Sequence, residues 1–430
     1  MRVSNIFTLI LYLIIILLLY FYFFKYLQKV FEFRFDINRI SNIERIRFKS
    51  DDQTEILDDI HIDCEQMKKG VKPANYTPYK LDDRKIEDKL LYSVDRCKTL
   101  KSLYNFYDKP LSDEEADYPL AYGIMPYKDL AQVLFMLSSI YHPQNEYCIA
   151  VGSNANELFR YLLKDLCGCF PNVHYMYRPP IYWGTHEIIN TVYTSMEFLS
   201  HLKSKWKYFQ YLSGVDAPLK TNLEMVRIFK TLNGSANFEL KEYQIGRLNG
   251  KNMSHSPLKL YKSSLSSLIP RASADYMASS SIPRQVLEFL KDTGIADEGF
   301  WGTLFGNKKK FDMPGSIDGI DFIEKHNLTL SASSSYYISR YQIWEKKTCG
   351  GYLTSGSCVY GIADLPKLLS RKELVAHKFY PTFEFDAYIC LLKEIRKRSD
   401  NPPPPTNLTI YESLRMDKEE NILQMTMNPS

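Results

Sequence analysis

Residues 118–151 read YPLAYGIMPYKDLAQVLFMLSSIYHPQNEYCIAV. Pro119 to Met125 is a short apolar run bounded by prolines, the pattern of a buried strand. Leu130, Val133, Leu134, Leu137 and Tyr141 then repeat at helical spacing until His142-Pro143 ends the helix. Tyr147 to Val151 is a second apolar run. Strand, helix and strand in 34 residues predict a βαβ unit, and with it a parallel sheet.

The pattern continues outward. Asn154 is expected to cap a helix carrying Leu158, Tyr161, Leu162 and Leu166 on one face. Val173 to Met176 is predicted as a third strand, residues 186–203 as a helix, and Tyr208 to Leu212 as a fourth strand. The fold class is therefore α/β with a mostly parallel central sheet. Ligands of such sheets bind at the carboxyl ends of the strands, which places Gly152-Ser153 and Ser213-Gly-Val-Asp216 at the mouth. Further on, Ser281 and Pro283 open a helix with Val286, Leu287 and Leu290 inward, running to Gly294. Ser263 to Ser267 reads as loop or short strand. Pro402 to Pro405 reads as a stiff spacer ending the packed domain, with a poorly ordered tail beyond it. No internal repeat is visible, which excludes solenoids and propellers.

Residues 6–24 contain no charge, Gly or Pro and would span about 30 Å as a helix, the thickness of a bilayer core. They end in aromatics rather than in small residues, which favours an uncleaved signal anchor over a cleaved signal peptide. Sequons at Asn75, Asn233, Asn252, Asn327 and Asn407 all follow this segment, as do all eight cysteines. Both facts place the bulk of the chain in an oxidising secretory lumen. The expected order is a cytoplasmic tail (1–5), a transmembrane anchor (6–24), a stem and N-terminal subdomain (25–115), a catalytic domain (116–400) and a Pro-rich tail (401–430). The formal charge of +4 and the absence of basic runs interleaved with aromatics argue against nucleic acid. Cysteine spacing gives no metal site.

Residues 296–304, ADEGFWGTL, set two carboxylates against aromatic surface, where desolvation suits a general base. A solvated acid pair opening a helix, with Phe300 and Trp301 as its buried face, accounts for the same residues. No phosphate-binding glycine loop, dinucleotide fingerprint or nucleophile elbow is present. Asp-x-Asp is absent too, so a diphosphate would have to be met by fixed cations rather than by a divalent ion on a carboxylate pair. Lys378, in Ala376-His-Lys-Phe379, is a candidate.

Several motifs in one order carry a resemblance: residues 119–124 (PLAYGI), 140–149 (IYHPQNEYCI), 169–173 (CFPNV), 211–224 (YLSGVDAPLKTNLE), 297–301 (DEGFW), the Cys349–Cys358 interval, 361–365 (GIADL) and 376–379 (AHKF). Together they resemble the core-2/I-branching β-1,6-N-acetylglucosaminyltransferases over roughly Tyr118 to Arg396. The resemblance implies a Golgi enzyme, single-pass type II with a lumenal catalytic domain, and a variant GT-A nucleotide-sugar transferase fold. It implies inverting, metal-independent transfer of GlcNAc from UDP-GlcNAc to the 6-hydroxyl of a sugar in an O-glycan, with no cofactor. Glu298 matches the catalytic base and Lys378 the residue that neutralises the departing diphosphate. Glu239, Arg247 and Tyr341 match acceptor contacts. The expected acceptor is the core-1 disaccharide Galβ1-3GalNAc on glycoproteins; oligomeric state is open, a homodimer included.

The chain also departs from the family pattern. Ser355 stands where a second diphosphate-binding arginine is usual, and Gly152 where an aspartate is usual. Arg340 or Arg371 would be the replacements for the missing cation. A donor such as UDP-glucose or UDP-xylose, or an inactive glycan-binding homologue, are the alternative readings. The family pattern implies disulfides Cys64–Cys390, Cys97–Cys169 and Cys349–Cys358. The usual partner of Cys148 falls at Ser195, and Cys148 and Cys167 are then expected to pair.

Overall fold

The computed structural model describes residues 60–328, 336–404 and 407–417. The expected anchor over 6–24, its tail and much of the stem lie outside the described residues. Among the described residues, no helix is long and apolar enough to cross a membrane.

Among the described residues, four helices precede the sheet: α1 (Cys64–Met67), α2 (Asp83–Leu91), α3 (Arg96–Tyr104) and α4 (Asp113–Ala116). Much of the polarity of this stretch is spent on helix starts. Asp63, Asp82, Asp95 and Ser112 each accept a backbone N–H three residues on, supplying partners that helix ends lack. Leu90, Leu91, Leu100, Leu103 and Tyr104 are fully or nearly fully buried and join the main core, so these helices pack onto the sheet domain.

The alternating half follows: β1 (Ala121–Met125), α5 (Leu130–Ile140), β2 (Glu146–Gly152), α6 (Glu157–Cys167), β3 (Val173–Arg178), α7 (His186–Ser200), β4 (Tyr208–Ser213), β5 (Asp216–Pro218) and α8 (Asn222–Leu232). The second half contributes β6 (Lys241–Glu242), β7 (Tyr261–Lys262), β8 (Leu268–Pro270), α9 (Arg271–Ser279), α10 (Ile282–Leu290), α11 (Trp301–Phe305) and α12 (Gly319–Lys325). It ends with β9 (Tyr352–Thr354), β10 (Ser357–Val359), α13 (Leu365–Leu369), β11 (Val375–His377), α14 (Phe385–Asp400) and α15 (Thr409–Glu412). The central sheet has the order β3-β2-β1-β4-β8, parallel except for β8. This is the mixed α/β architecture that the strand–helix alternation predicts.

Buried amides satisfy the amino ends of the strands. Asn145 accepts from Leu120 N at 2.8 Å, and Asn172 donates to the carbonyls of His142 and Asn145. An unpaired backbone group in that interior would be costly, which explains why HPQN and FPN sit beside apolar runs.

Three expectations need correction. Asn156, not Asn154, caps α6, through Phe159 N. Asn154 instead clamps the loop after β3, donating to Ile181 O at 2.8 Å and accepting from Ile181 N at 2.9 Å. The packed domain does not end at Pro402–Pro405. Tyr411, Leu414 and Met416 are buried, and the Tyr411 hydroxyl donates to Lys372 O, because an apolar residue in every turn gives this segment a face to bury.

Third, the disulfides Cys64–Cys390, Cys97–Cys169 and Cys349–Cys358 are formed, but Cys148 and Cys167 are both buried free thiols. Strand alternation is the reason. Tyr147 stacks on Tyr122 and Tyr141 beside α5, so Cys148 points to the opposite face, toward Ser195 of α7. Helix α6, which carries Cys167, covers the other side, with Arg160 over Tyr177. Burial pushes the Cys148 thiol up to about 12, leaving it inert at neutral pH. All five sequon asparagines are exposed.

Candidate active site

Residues Ala296–Gly299 form a 3₁₀ turn entered through Ile295 in the left-handed region (φ 50°). Three contacts fix it. Ser263 N donates to Glu298 O at 2.7 Å, and the Trp301 indole donates to Leu265 O at 2.8 Å. Gly299 lies so close to α10 that an added Cβ would stand 2.8 Å from Leu290 Cδ2. Phe300 and Trp301 are fully buried, with Phe300 edge-on to Tyr193. The aromatics are the turn's packed support, and Glu298 is left facing outward.

Its carboxylate meets a cluster drawn from three other segments. Arg247 Nη1 lies 2.7 Å and Lys262 Nζ 3.5 Å from Glu298 Oε2. Lys262 also pairs with Glu239 at 3.2 Å, and Lys241 with the other oxygen of Glu239 at 3.4 Å. Glu298 and Glu239 keep about a fifth of their side-chain surface exposed. Arg247 is tied to the same wall, since Gly294 N donates to its carbonyl at 2.7 Å. Three predicted residues, Glu239, Arg247 and Glu298, thus come together. Lys262 and Lys241 were not anticipated; Lys241 shares a face with Glu239 by the strand period of two, but nothing local in the sequence points to Lys262.

Asp297, beside Glu298, is distinct from it. Burial and then the charge of Glu298 push its carboxyl up to about 7, and its Oδ1 is buried without a hydrogen-bond partner. Near neutral pH it therefore holds a proton about half the time, which keeps two adjacent negative charges apart. Because its proton is bound more tightly folded than unfolded, it lowers stability as pH rises from about 4 through 7. Asp297→Asn is expected to melt with wild type near pH 4 and above it at pH 8, by up to about 4 kcal/mol. Thermal unfolding at the two pH values measures this; a difference independent of pH would exclude it.

A second cluster occupies the carboxyl end of the sheet. Asp216 is fully buried, accepting from Ser213 N at 2.7 Å and facing His377 Nδ1 at 2.7 Å and Arg340 at 2.9 Å. Burial alone would raise its pKa, but Arg340 and His377 hold it below the usual carboxylate range. Strand β11 pairs with β5, which sets Lys378 just beyond Asp216. Lys378 is 5% exposed, and its Nζ donates to Thr354 O at 2.8 Å, where β9 turns into β10. Ser355 is in that turn, at φ 45°. Arg340 lies 5.0 Å from the Tyr211 ring centroid, and the charges of Arg340 and Asp297 both act on that phenol, so Tyr211 stands between the two clusters.

The structure also places the departures. A Cβ at Gly152 would come within 2.6 Å of Asn154 Oδ1, so the Asn154 amide fills the space a side chain there would take. Arg340 is bound to Asp216, and Arg371 to Glu373, so each suggested replacement cation is already paired. Tyr341 is not brought to the Glu298 cluster. It is buried against Tyr360 with Arg371 4.2 Å from its ring centroid, because its backbone pairs with the β11 segment.

The core-2/I-branching enzyme family model matches residues 120–350. The chain is 27% identical over 375 residues to a beta-1,3-galactosyl-O-glycosyl-glycoprotein beta-1,6-N-acetylglucosaminyltransferase 3 of Ovis aries, covering 79% of this chain and 83% of that one. The Homo sapiens protein of the same name is 27% identical over 335 residues, covering 70% and 74%. The crystal structure of S. aureus TarS 1–349 overlaps 40% of this chain and 55% of that one at 11% identity and a TM-score of 0.23, too slight an overlap to bear on the fold. The family model covers more than half of the chain, including both the sheet and the Glu298 cluster, and the chain therefore belongs to the core-2/I-branching enzyme family and is a glycosyltransferase.

Proposed function

We propose that this chain is an inverting, metal-independent transferase of the variant GT-A type. It adds β-1,6-linked GlcNAc from UDP-GlcNAc to core-1 O-glycans (Galβ1-3GalNAc) on glycoproteins, in the Golgi lumen and anchored by its N-terminal segment. The observation that carries this reading is the Glu298 carboxylate, fixed by Arg247 and Lys262, still partly open, and sharing its cluster with Glu239. Glu298 takes the proton of the acceptor hydroxyl as that oxygen bonds to the anomeric carbon. The bond from that carbon to the diphosphate breaks, its electron pair leaves with UDP, and attack from the opposite face inverts the centre. Lys378 offsets the charge that develops on the leaving group. Glu239 and the cations around it supply hydrogen-bonding partners for sugar hydroxyls. The relatives, named as β-1,6-N-acetylglucosaminyltransferases of O-glycosyl-glycoproteins, support the O-glycan acceptor and the GlcNAc donor.

Ser355 and Gly152 favour a second reading in which the donor is another UDP-sugar, such as UDP-glucose or UDP-xylose. The full chain in detergent, given core-1 acceptor, a chelator and a panel of UDP-sugars, separates the readings. UDP-GlcNAc turnover is expected. Turnover of another sugar alone would select the second reading, a requirement for added manganese would overturn the mechanism, and glycan binding without turnover would make this an inactive homologue.

A further inference from the structure

We propose that Lys128 is a second diphosphate-binding cation, acting with Lys378 across the ring of Tyr380; this rests on the nucleotide-sugar reading above. The two lysines come from different parts of the chain. Lys128 lies three residues beyond β1 and Lys378 directly follows β11, both at the carboxyl edge of the sheet, where ligands of such sheets bind. Lys378 Nζ lies 5.4 Å and Lys128 Nζ 6.0 Å from the centroid of the same Tyr380 ring. With the carboxylate of Asp129, whose charge also acts on the Tyr380 phenol, the ring gathers two cations and one anion, a patch of net positive charge.

One carboxylate, Asp129, offsets part of that charge. Among the described residues, Lys378 has no carboxylate within ion-pair distance, and its ammonium donates to the neutral Thr354 carbonyl. Lys128 has one acidic neighbour, Asp129, at 3.5 Å, longer than a charge-assisted hydrogen bond. The oxygen that faces Lys128 is Asp129 Oδ2, which is buried and makes no hydrogen bond, so the two residues form a loose ion pair rather than a hydrogen-bonded one. The Lys128 side chain remains 62% exposed and can swing on its four-carbon stem, whereas Lys378 is fixed. One buried, immobile cation and one exposed, mobile cation flanking an aromatic ring suit a dianionic diphosphate that arrives and leaves. Arg340 and Arg371 do not serve here, since each is engaged by its own carboxylate.

The test is calorimetric titration of the full chain in detergent with UDP and with uridine, comparing wild type, Lys128→Gln and Lys128→Arg. Lys128→Gln is expected to weaken UDP binding about tenfold and leave uridine binding unchanged, and Lys128→Arg to restore most of the loss. The Michaelis constant for the UDP-sugar should rise in parallel, with the melting temperature unmoved. Equal UDP affinity in Lys128→Gln and wild type would overturn the assignment of Lys128 alone. Failure of the wild-type chain to bind UDP would overturn the nucleotide-sugar reading, and this proposal with it.

Discussion

Glu298→Gln is expected to reduce turnover by about 10² to 10⁴ while leaving UDP binding intact. The substitution keeps the shape of the side chain and a carbonyl oxygen that accepts from Arg247, but it removes the basic oxygen that would receive the acceptor proton. The supports of the turn are untouched, because the Ser263 and Trp301 bonds engage backbone and aromatic groups rather than the carboxylate. Arg247 and Lys262 lose a charged partner, although Lys262 retains Glu239. The variant should therefore melt within a few degrees of wild type. Turnover and UDP affinity measured on the same preparation decide the matter; wild-type turnover would remove Glu298 from its role as base.

Lys378→Met is expected to lower turnover by about 10² to 10³, with stability at neutral pH unchanged or raised. These opposite signs distinguish a leaving-group role from a structural one. Burial lowers the pKa of Lys378, so its charged form is disfavoured in the folded protein. That cost is present at pH values below its folded pKa and disappears only on deprotonation at alkaline pH. Methionine fills a similar volume without the charge, so replacement relieves the cost at neutral pH and gives up one hydrogen bond to Thr354 O. A variant that lost stability and activity in proportion would mark Lys378 as a packing residue. Unchanged turnover would remove it from the reaction.

The fold was legible because its signals are local. Apolar runs at 119–125, 147–151 and 208–212, separated by helical spacing, specify parallel strands without knowledge of what each strand touches. Element ends were less legible. Asn154 has the side chain of a helix cap, but two residues on Asn156 is the one whose backbone geometry lets its oxygen reach Phe159 N. Glu298 stood out only once its stretch was read alongside the motifs around it, since a helix start accounts for ADEG equally well.

What the sequence alone determined about this protein is the alternation that builds the sheet, the clustering of acid and aromatics at 296–304, and the three disulfides implied by its resemblance to a family. Tertiary structure decided what depends on chain crossings. Glu239, Arg247, Lys262 and Glu298 meet because four separate segments converge on one wall, and their charges pair through space rather than through spacing. Tyr341 fell away from that wall because its backbone joins β11. Cys148 remained a thiol because the strand's alternation turns it toward Ser195 and away from the helix carrying Cys167. Periodicity fixes which face of an element is apolar; only packing fixes which polar groups from distant elements end within hydrogen-bond reach of one another.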